Sequence, residues 1–184
     1  MLDRMSISNF RKLGDSLAVL VVAPAENLED NTTDILKEVL KKGVSCLYIA
    51  VNQPYKRMLQ LLEKKGIDTK KVFFIDCITK ESGGKPVEND NVYYISSASN
   101  LTELDISIKE GLESIDGKKI MFFDALSTML IYSRPGPFAK FAHSVMTKIK
   151  SMGIRGIFIA VEGEIEEEML SKMEQFSDTT ISLV

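Results

Sequence analysis

Apolar segments of strand length alternate with amphipathic segments of helical length along almost the whole chain. Seven short apolar segments predict strands, at residues 17–23, 45–51, 72–76, 91–95, 120–124, 156–161 and 179–184. Five segments with apolar residues at helical spacing predict helices that begin near Thr32, Pro54, Asn100, Pro137 and Glu164. Regular alternation of this kind predicts an α/β fold, with a parallel sheet between two layers of helices.

Local signals support several of the predicted helix boundaries. Asn31 and Thr32, with Asp34 in the first turn, favour an N-cap for the first helix, and Gly43 favours its end after Lys42. Asn100 and Glu103 have the spacing of a capping box. The mixed segment 1–15 is interpreted as a cap on the sheet.

Length and composition predict a single domain, residues 1–184, with a large core. The chain has 184 residues, of which 45% are hydrophobic and 27% charged, and its formal net charge is -3. This acidic balance gives no general attraction to nucleic acid or to an anionic membrane. The apolar runs are too short to span a bilayer and no signal-peptide pattern begins the chain, so we expect a cytoplasmic protein.

Two connections are longer than the usual few residues. The first, residues 78–90, is polar and contains Gly83 and Gly84, whereas the second, residues 125–136, is apolar as far as Tyr132. Long ordered loops at the carboxyl ends of parallel strands commonly line the ligand face of such a sheet.

The segment between the first strand and the first helix stands where a phosphate-binding loop, GxxxxGK[ST], would lie. Aligned on Thr32, the motif places Ala25 and Asp30 at its two glycines and Asn31 at its lysine. A helix N-terminus still attracts anions, but the lysine charge is missing and a carboxylate has been added. At about 4 Å and an effective dielectric constant near 20, one unit charge corresponds to roughly 4 kcal/mol. We therefore expect no tight binding of ATP.

The segment 119–132, with the sequence KIMFFDALSTMLIY, and the spacing onward through residues 138–143 to the strand at 156–161 resemble the RecA-like ATPases. The resemblance is to the KaiC-like branch, and especially to archaeal KaiC-like proteins, over essentially the whole chain. It implies a three-layer fold of the P-loop NTPase type. It also places Asp124 at the Walker B aspartate, which holds Mg²⁺ beside the nucleotide in active relatives.

A second signature of the active relatives is a pair of glutamates after the second strand, and here the matching residues are Asn52 and Gln53. An amide cannot accept a proton as a general base at neutral pH. The structural interpretation of this pair is that Asn52 or Gln53 caps the helix that begins at Pro54.

Other candidate residues favour structural roles. Cys46 and Cys77 match no metal-binding or redox spacing and are predicted to be reduced, buried thiols. His143, the only histidine, is expected beside the apolar stripe of its helix, and the acidic run 162–168 is expected to be a solvated helix start. Arg134 is interpreted as a surface or interface residue.

The sequence therefore predicts a noncatalytic KaiC-like domain with a regulatory or protein-interaction role. Asn31, Thr32 and Asp124 are the residues of a vestigial cofactor site, and we expect no catalytic residue, no metal and no bound cofactor. A protein partner or a second copy of the chain is expected, without nucleic acid or membrane. The alternative is a sensor that binds a nucleotide or another small molecule in the crevice, where Asp30 would contact a cationic or hydroxyl-bearing group under the loop 78–90.

Overall fold

Eight strands form one sheet in the computed structural model, which describes residues 3–4, 13–40 and 43–183. Neighbouring strands are parallel throughout the described sheet, and their order is β1-β8-β2-β7-β6-β3-β4-β5. The strands are β1 Asp3–Arg4, β2 Ala18–Ala23, β3 Ser45–Ala50, β4 Val72–Asp76, β5 Val92–Tyr94, β6 Lys119–Asp124, β7 Arg155–Val161 and β8 Thr179–Ser182.

Helices cover both faces of the sheet, which confirms the predicted α/β architecture. They are α1 Leu28–Leu40, α2 Tyr55–Lys64, α3 Leu101–Ser114, α4 Met129–Tyr132, α5 Pro135–Ser151 and α6 Glu167–Phe176. Apolar residues of α1 and α2 share one core with one face of the sheet, and those of α3, α5 and α6 share a second core with the other face. None of the described helices is long and apolar enough to cross a membrane.

The predicted strands are confirmed to within two residues at each end. The interiors of β2, β3, β6 and β7 are buried on both faces, as expected for a parallel sheet covered by helices. The segment interpreted as a cap contributes β1, a two-residue edge strand that pairs with β8. The rest of its first twelve residues, like Val184 at the end of the last predicted strand, lies outside the described residues.

The helix starts were predicted less well than the strands. Helix α1 begins at Leu28, four residues before the expected Thr32, and the expected end at Lys42 lies outside the described residues. Helix α1 starts early because no proline follows Pro24 within residues 25–40 and because the acidic residues of its first turn, Glu29 and Asp30, suit a helix N-terminus. The expected start of α6 at Glu164 is also wrong, since α6 begins at Glu167.

Candidate functional site

A small cavity lies at the carboxyl ends of β2, β3 and β6, between the start of α1 and helix α2. Its volume is about 210 Å³. The polar residues that line it are Glu26, Glu29, Thr32, Asn52, Gln53 and Asp124. Ala25, Leu28, Met58 and Leu61 form its apolar part. This is the crevice at which open α/β sheets bind ligands.

The segment expected to form a phosphate loop is mostly helical. After Pro24 comes a single 3-10 turn, Ala25–Asn27, and Leu28 then begins α1. Asn31 and Thr32 consequently lie inside the helix, and the predicted N-cap at these residues is wrong. Because an α-helix bonds each interior N–H to the carbonyl four residues earlier, the amide of Thr32 is committed to the helix and cannot face a phosphate.

Asp30 does not reach the cavity, contrary to the hypothesis that it contacts a ligand there. Its carboxylate forms an ion pair with Lys65 of the α2 end, at 2.5 Å between Nζ and Oδ1. Glu29, which does line the cavity, has its Oε2 atom 3.7 Å from the guanidinium of Arg57. The two pairs connect α1 with α2 on the outside of the cavity.

Two neighbouring threonines of α1 differ in their hydrogen bonding. The Thr33 hydroxyl donates to the carbonyls of Glu29 and Asp30, at 2.9 and 3.0 Å, as serine and threonine often do within helices. The Thr32 hydroxyl has no hydrogen-bond partner, although it is buried and the residue is only 3% exposed. The amide nitrogen of Asn31 is also buried without a partner, but Asn31 does not line the cavity.

Asp124 ends β6 at the cavity and is held by a chain of hydrogen bonds. The hydroxyl of Tyr48 donates to its Oδ2, and the amide of Asn52 donates to its Oδ1 at 3.1 Å. The Thr128 hydroxyl in turn donates to the side-chain carbonyl of Asn52. The peptide bond from Asp124 to Ala125 is cis. Both carboxylate oxygens of Asp124 are therefore engaged by the protein itself.

Burial dominates the electrostatics of this carboxylate. Asp124 is 5% exposed, and its removal from water raises its pKa from 3.8 to about 6. The hydrogen bonds from Tyr48 and Asn52 act in the opposite direction, because they favour the charged form. Burial together with the neighbouring Asp124 also raises the pKa of Tyr48, which therefore remains a hydrogen-bond donor.

Tyr48 was not predicted as a site residue, although the sequence contains a signal for it. It stands in a strand that is otherwise aliphatic or small, and a buried tyrosine needs a partner for its hydroxyl. Since β3 pairs with β6 so that Tyr48 lies beside Phe122 and Ala50 beside Asp124, the tyrosine and the aspartate extend from the same face of the sheet.

The capping role expected for Asn52 or Gln53 is wrong, because a different residue holds the start of α2. The backbone N–H of Tyr55, the first residue of α2, donates to Oδ2 of Asp76 at 2.7 Å. Asp76 is fully buried at the end of β4 and also accepts hydrogen bonds from Ile78 and Thr79. The amide of Asn52 is instead used on Asp124.

The long loop 78–90 contributes no residue to the cavity. Residues 86–91, with Lys80, line a separate open groove of about 860 Å³ beside the edge strand β5. The expectation that the loop 78–90 covers the crevice is therefore wrong. Met129 does not fill the crevice either, because it is buried in the core on the α5 side of the sheet. Leu28 lines the cavity without closing it.

The remaining candidates have structural surroundings. Cys46 and Cys77 are free and buried, and burial raises the pKa of both thiols, which keeps them protonated. His143 is exposed and its ring packs against Phe176, with the centroids 4.8 Å apart. Arg134 is exposed at the start of α5. In the part of the chain that the structure describes, no three His, Cys, Asp or Glu residues are grouped as a metal site.

The architecture described above, a parallel sheet with helices on both faces, is shared with solved structures that include a KaiC-like protein. The fold is similar to that of the KaiC-like protein PH0186 from Pyrococcus horikoshii OT3, with a TM-score of 0.65 and 10% sequence identity over 91% of this chain and 70% of that one. The fold is also similar to that of the uncharacterized protein PH0321 from Pyrococcus horikoshii, which was solved in complex with an unknown peptide. The comparison with PH0321 gives a TM-score of 0.65 and 14% sequence identity, over 95% of this chain and 81% of PH0321.

At the level of sequence, residues 10–184 match DUF7090, a family of unknown function, and the chain belongs to that family. No curated protein matches the chain. The structural similarities confirm the KaiC-like fold predicted from the sequence. At 10% and 14% identity they carry no information about activity.

Proposed function

We propose that this chain is a noncatalytic KaiC-like domain with a regulatory or protein-interaction role. The observation that carries the proposal is the start of α1 at Leu28, which leaves no phosphate loop between β2 and the helix. The N–H groups that remain free at this helix end lie next to Glu26 and Glu29. A triphosphate would therefore meet two carboxylates and no lysine.

The carboxyl ends of β6 and β3 support the same proposal. Both oxygens of Asp124 already accept hydrogen bonds, from Tyr48 and Asn52, and burial raises the pKa of this carboxyl, so it is less suited than an exposed carboxylate to position hydrated Mg²⁺. The side chains at the positions of the catalytic glutamate pair, Asn52 and Gln53, cannot activate a water by taking its proton. The three residues of the proposed vestigial site are Asn31, Thr32 and Asp124.

A stable fold without nucleotide chemistry favours an interaction role. The structural neighbour PH0321 was solved with an unknown peptide, and this supports a protein or peptide partner for the present chain by similarity of fold. A second copy of the chain is the other partner in this proposal, and sedimentation analysis over a range of protein concentrations distinguishes a self-associating chain from a monomer.

Calorimetric titration with ATP and Mg²⁺ tests the loss of nucleotide chemistry. We expect no heat of binding from the native chain. The triple variant Ala25→Gly, Asp30→Gly, Asn31→Lys restores the full motif ending at Thr32, and we expect it to bind ATP because the glycines allow the loop to open and the lysine supplies the charge. The proposal would be wrong if the native chain hydrolysed ATP at a rate that Asp124→Ala abolished.

The second candidate function is a sensor that binds a small molecule in the crevice. One observation favours it, namely the cavity of about 210 Å³, which is lined by three acidic residues and by Thr32, Asn52 and Gln53. The cavity is smaller than the roughly 300–1,000 Å³ of most ligand pockets, so a compact ligand fits this candidate better than a nucleotide.

A further inference from the structure

Strand β5 lies at the edge of the described sheet, and half of its backbone groups face away from β4. The hydrogen bonds to β4 at the two ends of β5 come from the carbonyl of Asn91 and the amide of Ile95. Alternate residues of a strand direct their N–H and C=O groups to opposite sides, so those of Val92 and Tyr94 point outward. An open groove of about 860 Å³ lies beside the strand.

Two of these four outward groups are already bonded. The Val92 amide donates to the Asn89 carbonyl at 3.3 Å, and the Tyr94 carbonyl accepts from Nζ of Lys80 at 2.7 Å. The carbonyl of Val92 and the backbone amide of Tyr94 have no partner among the described residues. An antiparallel neighbour would need both groups of one residue, whereas a single residue of a parallel neighbour bonds to this pair. The free groups therefore fit a strand added parallel to β5.

The register of such a strand fixes where one of its side chains lies. The residue that bonds to both free groups would stand directly beside Tyr93, and residues paired in this way extend from the same face of a sheet. Tyr93 itself pairs with Ile75, which belongs to the core on the α3 side. The side chain of the added residue would therefore also lie on the α3 side.

A cavity of about 390 Å³ is present at this place, between α3 and the strands β4 and β5. Phe73, Ile75 and Tyr93 form part of its apolar wall, and Tyr93 is 55% exposed. The volume is within the roughly 300–1,000 Å³ of most ligand pockets. The cavity therefore has room for one large apolar side chain at the position that the backbone register selects.

The charges around the groove and the cavity indicate what kind of peptide fits. Glu88, Asp90 and Glu110 line them, and none of these three forms an ion pair with a described residue. Of the described residues in the two linings, Lys80 is the one basic residue, and its Nζ atom is used on the Tyr94 carbonyl. A basic segment would be attracted to this edge and an acidic one repelled.

We propose that the outer edge of β5 binds an extended basic peptide of a partner protein as an additional parallel strand. One residue of the peptide donates to the Val92 carbonyl, accepts from the Tyr94 amide and places an apolar side chain in the cavity beside Tyr93. Lysine or arginine residues before and after it lie near the three carboxylates. Main-chain bonds and a side-chain pocket are the two components of recognition by strand addition. This inference rests on the proposed interaction role and names the surface that performs it.

Four synthetic peptides, titrated at pH 7.5 by calorimetry and NMR, test this proposal. The peptide acetyl-KVKLKVK-amide should bind saturably and shift amide signals of β5 and α3. N-methylation of its central leucine removes the N–H that donates to Val92, and exchange of that leucine for alanine leaves the cavity empty, so each change should lower the affinity at least tenfold. The fourth peptide, with glutamate in place of every lysine, should not bind.

Several results of these titrations would overturn the proposal. They are the absence of saturable binding of the basic peptide, equal affinity for the parent and N-methylated peptides, equal affinity for the basic and acidic peptides, and signal shifts confined to residues away from β5 and α3. Protection of β5 that rises with protein concentration and does not respond to peptide would also overturn it, because a second copy of the chain would then occupy this edge.

Matched variants locate the surface. Tyr93→Ala, at a largely exposed position, removes part of the cavity wall and should lower the affinity for the basic peptide about tenfold, whereas Ile131→Ala, at another exposed apolar position, should have no effect. Glu110→Lys should lower the affinity about tenfold. Glu63→Lys makes the same change of net charge on α2, outside both linings, and should leave it within twofold. Equal effects of the two lysine variants would contradict the assignment.

This proposal and the noncatalytic one can fail separately in these experiments. Binding of ATP by the native chain would contradict the noncatalytic proposal whether or not the peptide binds. If neither ATP nor the basic peptide bound, the loss of nucleotide chemistry would stand, and only the assignment of the β5 edge to a basic peptide would be wrong.

Discussion

At the scale of single residues, Asp124 is a buried carboxylate at the carboxyl end of β6. The carboxylate stands where the resemblance places a magnesium ligand, yet it is buried, and its pKa is raised to about 6. Its raised pKa reflects a cost of keeping a charge out of water that the hydrogen bonds from Tyr48 and Asn52 only partly offset. An internal carboxylate with this pKa makes the stability of the protein depend on pH.

The first prediction concerns the substitution Asp124→Asn. The folded protein holds the proton of Asp124 up to about pH 6 and the unfolded chain only up to about pH 3.8, so the free energy of unfolding decreases as the pH rises between these values. A pKa difference of about 2 between the folded and unfolded states corresponds to roughly 3 kcal/mol. Urea unfolding of the variant should lack this loss, and the variant should be more stable than the native chain at pH 7, by up to about 3 kcal/mol.

The control for this prediction is Asp116→Asn, a similar change at an exposed position. This control should alter the free energy of unfolding by no more than about 0.5 kcal/mol, both in the acidic range where Asp124 titrates and at pH 7. Asn52 can rotate its amide in the Asp124→Asn variant, because the Thr128 hydroxyl can accept as well as donate. An Asp124→Asn variant that kept the full pH dependence of the native chain would show that another group titrates in this range.

At the scale of elements, Asp76 connects the end of β4 to the start of α2. Its Oδ1 accepts from the amides of Ile78 and Thr79, both at 2.8 Å, and its Oδ2 accepts from the Tyr55 amide at 2.7 Å and the Thr79 hydroxyl at 2.6 Å. The substitution Asp76→Asn would turn an N–H donor toward other donors. We expect it to lower the free energy of unfolding by about 3 kcal/mol, as measured by urea unfolding.

Asp68→Asn is the matched control for this second prediction. Asp68 caps the 3-10 turn Thr69–Lys71 through a single bond from the Lys70 amide, at 3.1 Å. Asparagine caps such turns about as well as aspartate, so the control should change the free energy of unfolding by less than about 0.5 kcal/mol. Similar losses in the two variants would show that Asp76 has no special part in positioning α2.

A third prediction concerns the two threonines of α1 in the protein without ligand. Thr33→Val removes a hydroxyl that bonds to two helix carbonyls, and it should lower the free energy of unfolding by about 1 kcal/mol. Thr32→Val removes a buried hydroxyl that has no partner, so the same measurement should show no loss or a small gain. A larger loss for Thr32→Val would mean that its hydroxyl is bonded in the free protein.

The sequence predicted elements better than the local start of α1. Strands such as β4, Val72–Asp76, are fixed by runs of apolar residues that both faces of the sheet must bury. The start of α1 was wrong because Asn31 and Thr32 resemble a cap, whereas residues 28–31 contain nothing that stops a helix. The contact between Tyr48 and Asp124 depends on strand register, which a single sequence does not specify.

For the whole molecule, the sheet is uneven in how well its strands are covered. The inner strands β2, β7, β6 and β3 each have neighbours on both sides and buried side chains. Strand β5 has three residues and pairs only with β4 among the described strands, and Tyr93 within it is 55% exposed. Local opening of such an edge costs much less free energy than global unfolding.

Hydrogen exchange of the native protein gives the fourth prediction. Amides of β2, β3, β6 and β7 should exchange only by global unfolding, whereas those of β5 should exchange much faster, through local opening. Slow exchange in β5 at low protein concentration would contradict this difference between edge and centre. Protection of β5 that rises with protein concentration would instead show that a second copy covers this edge, because an unpaired strand edge can extend its sheet into another chain. The same measurement would then locate the interface of the proposed self-association.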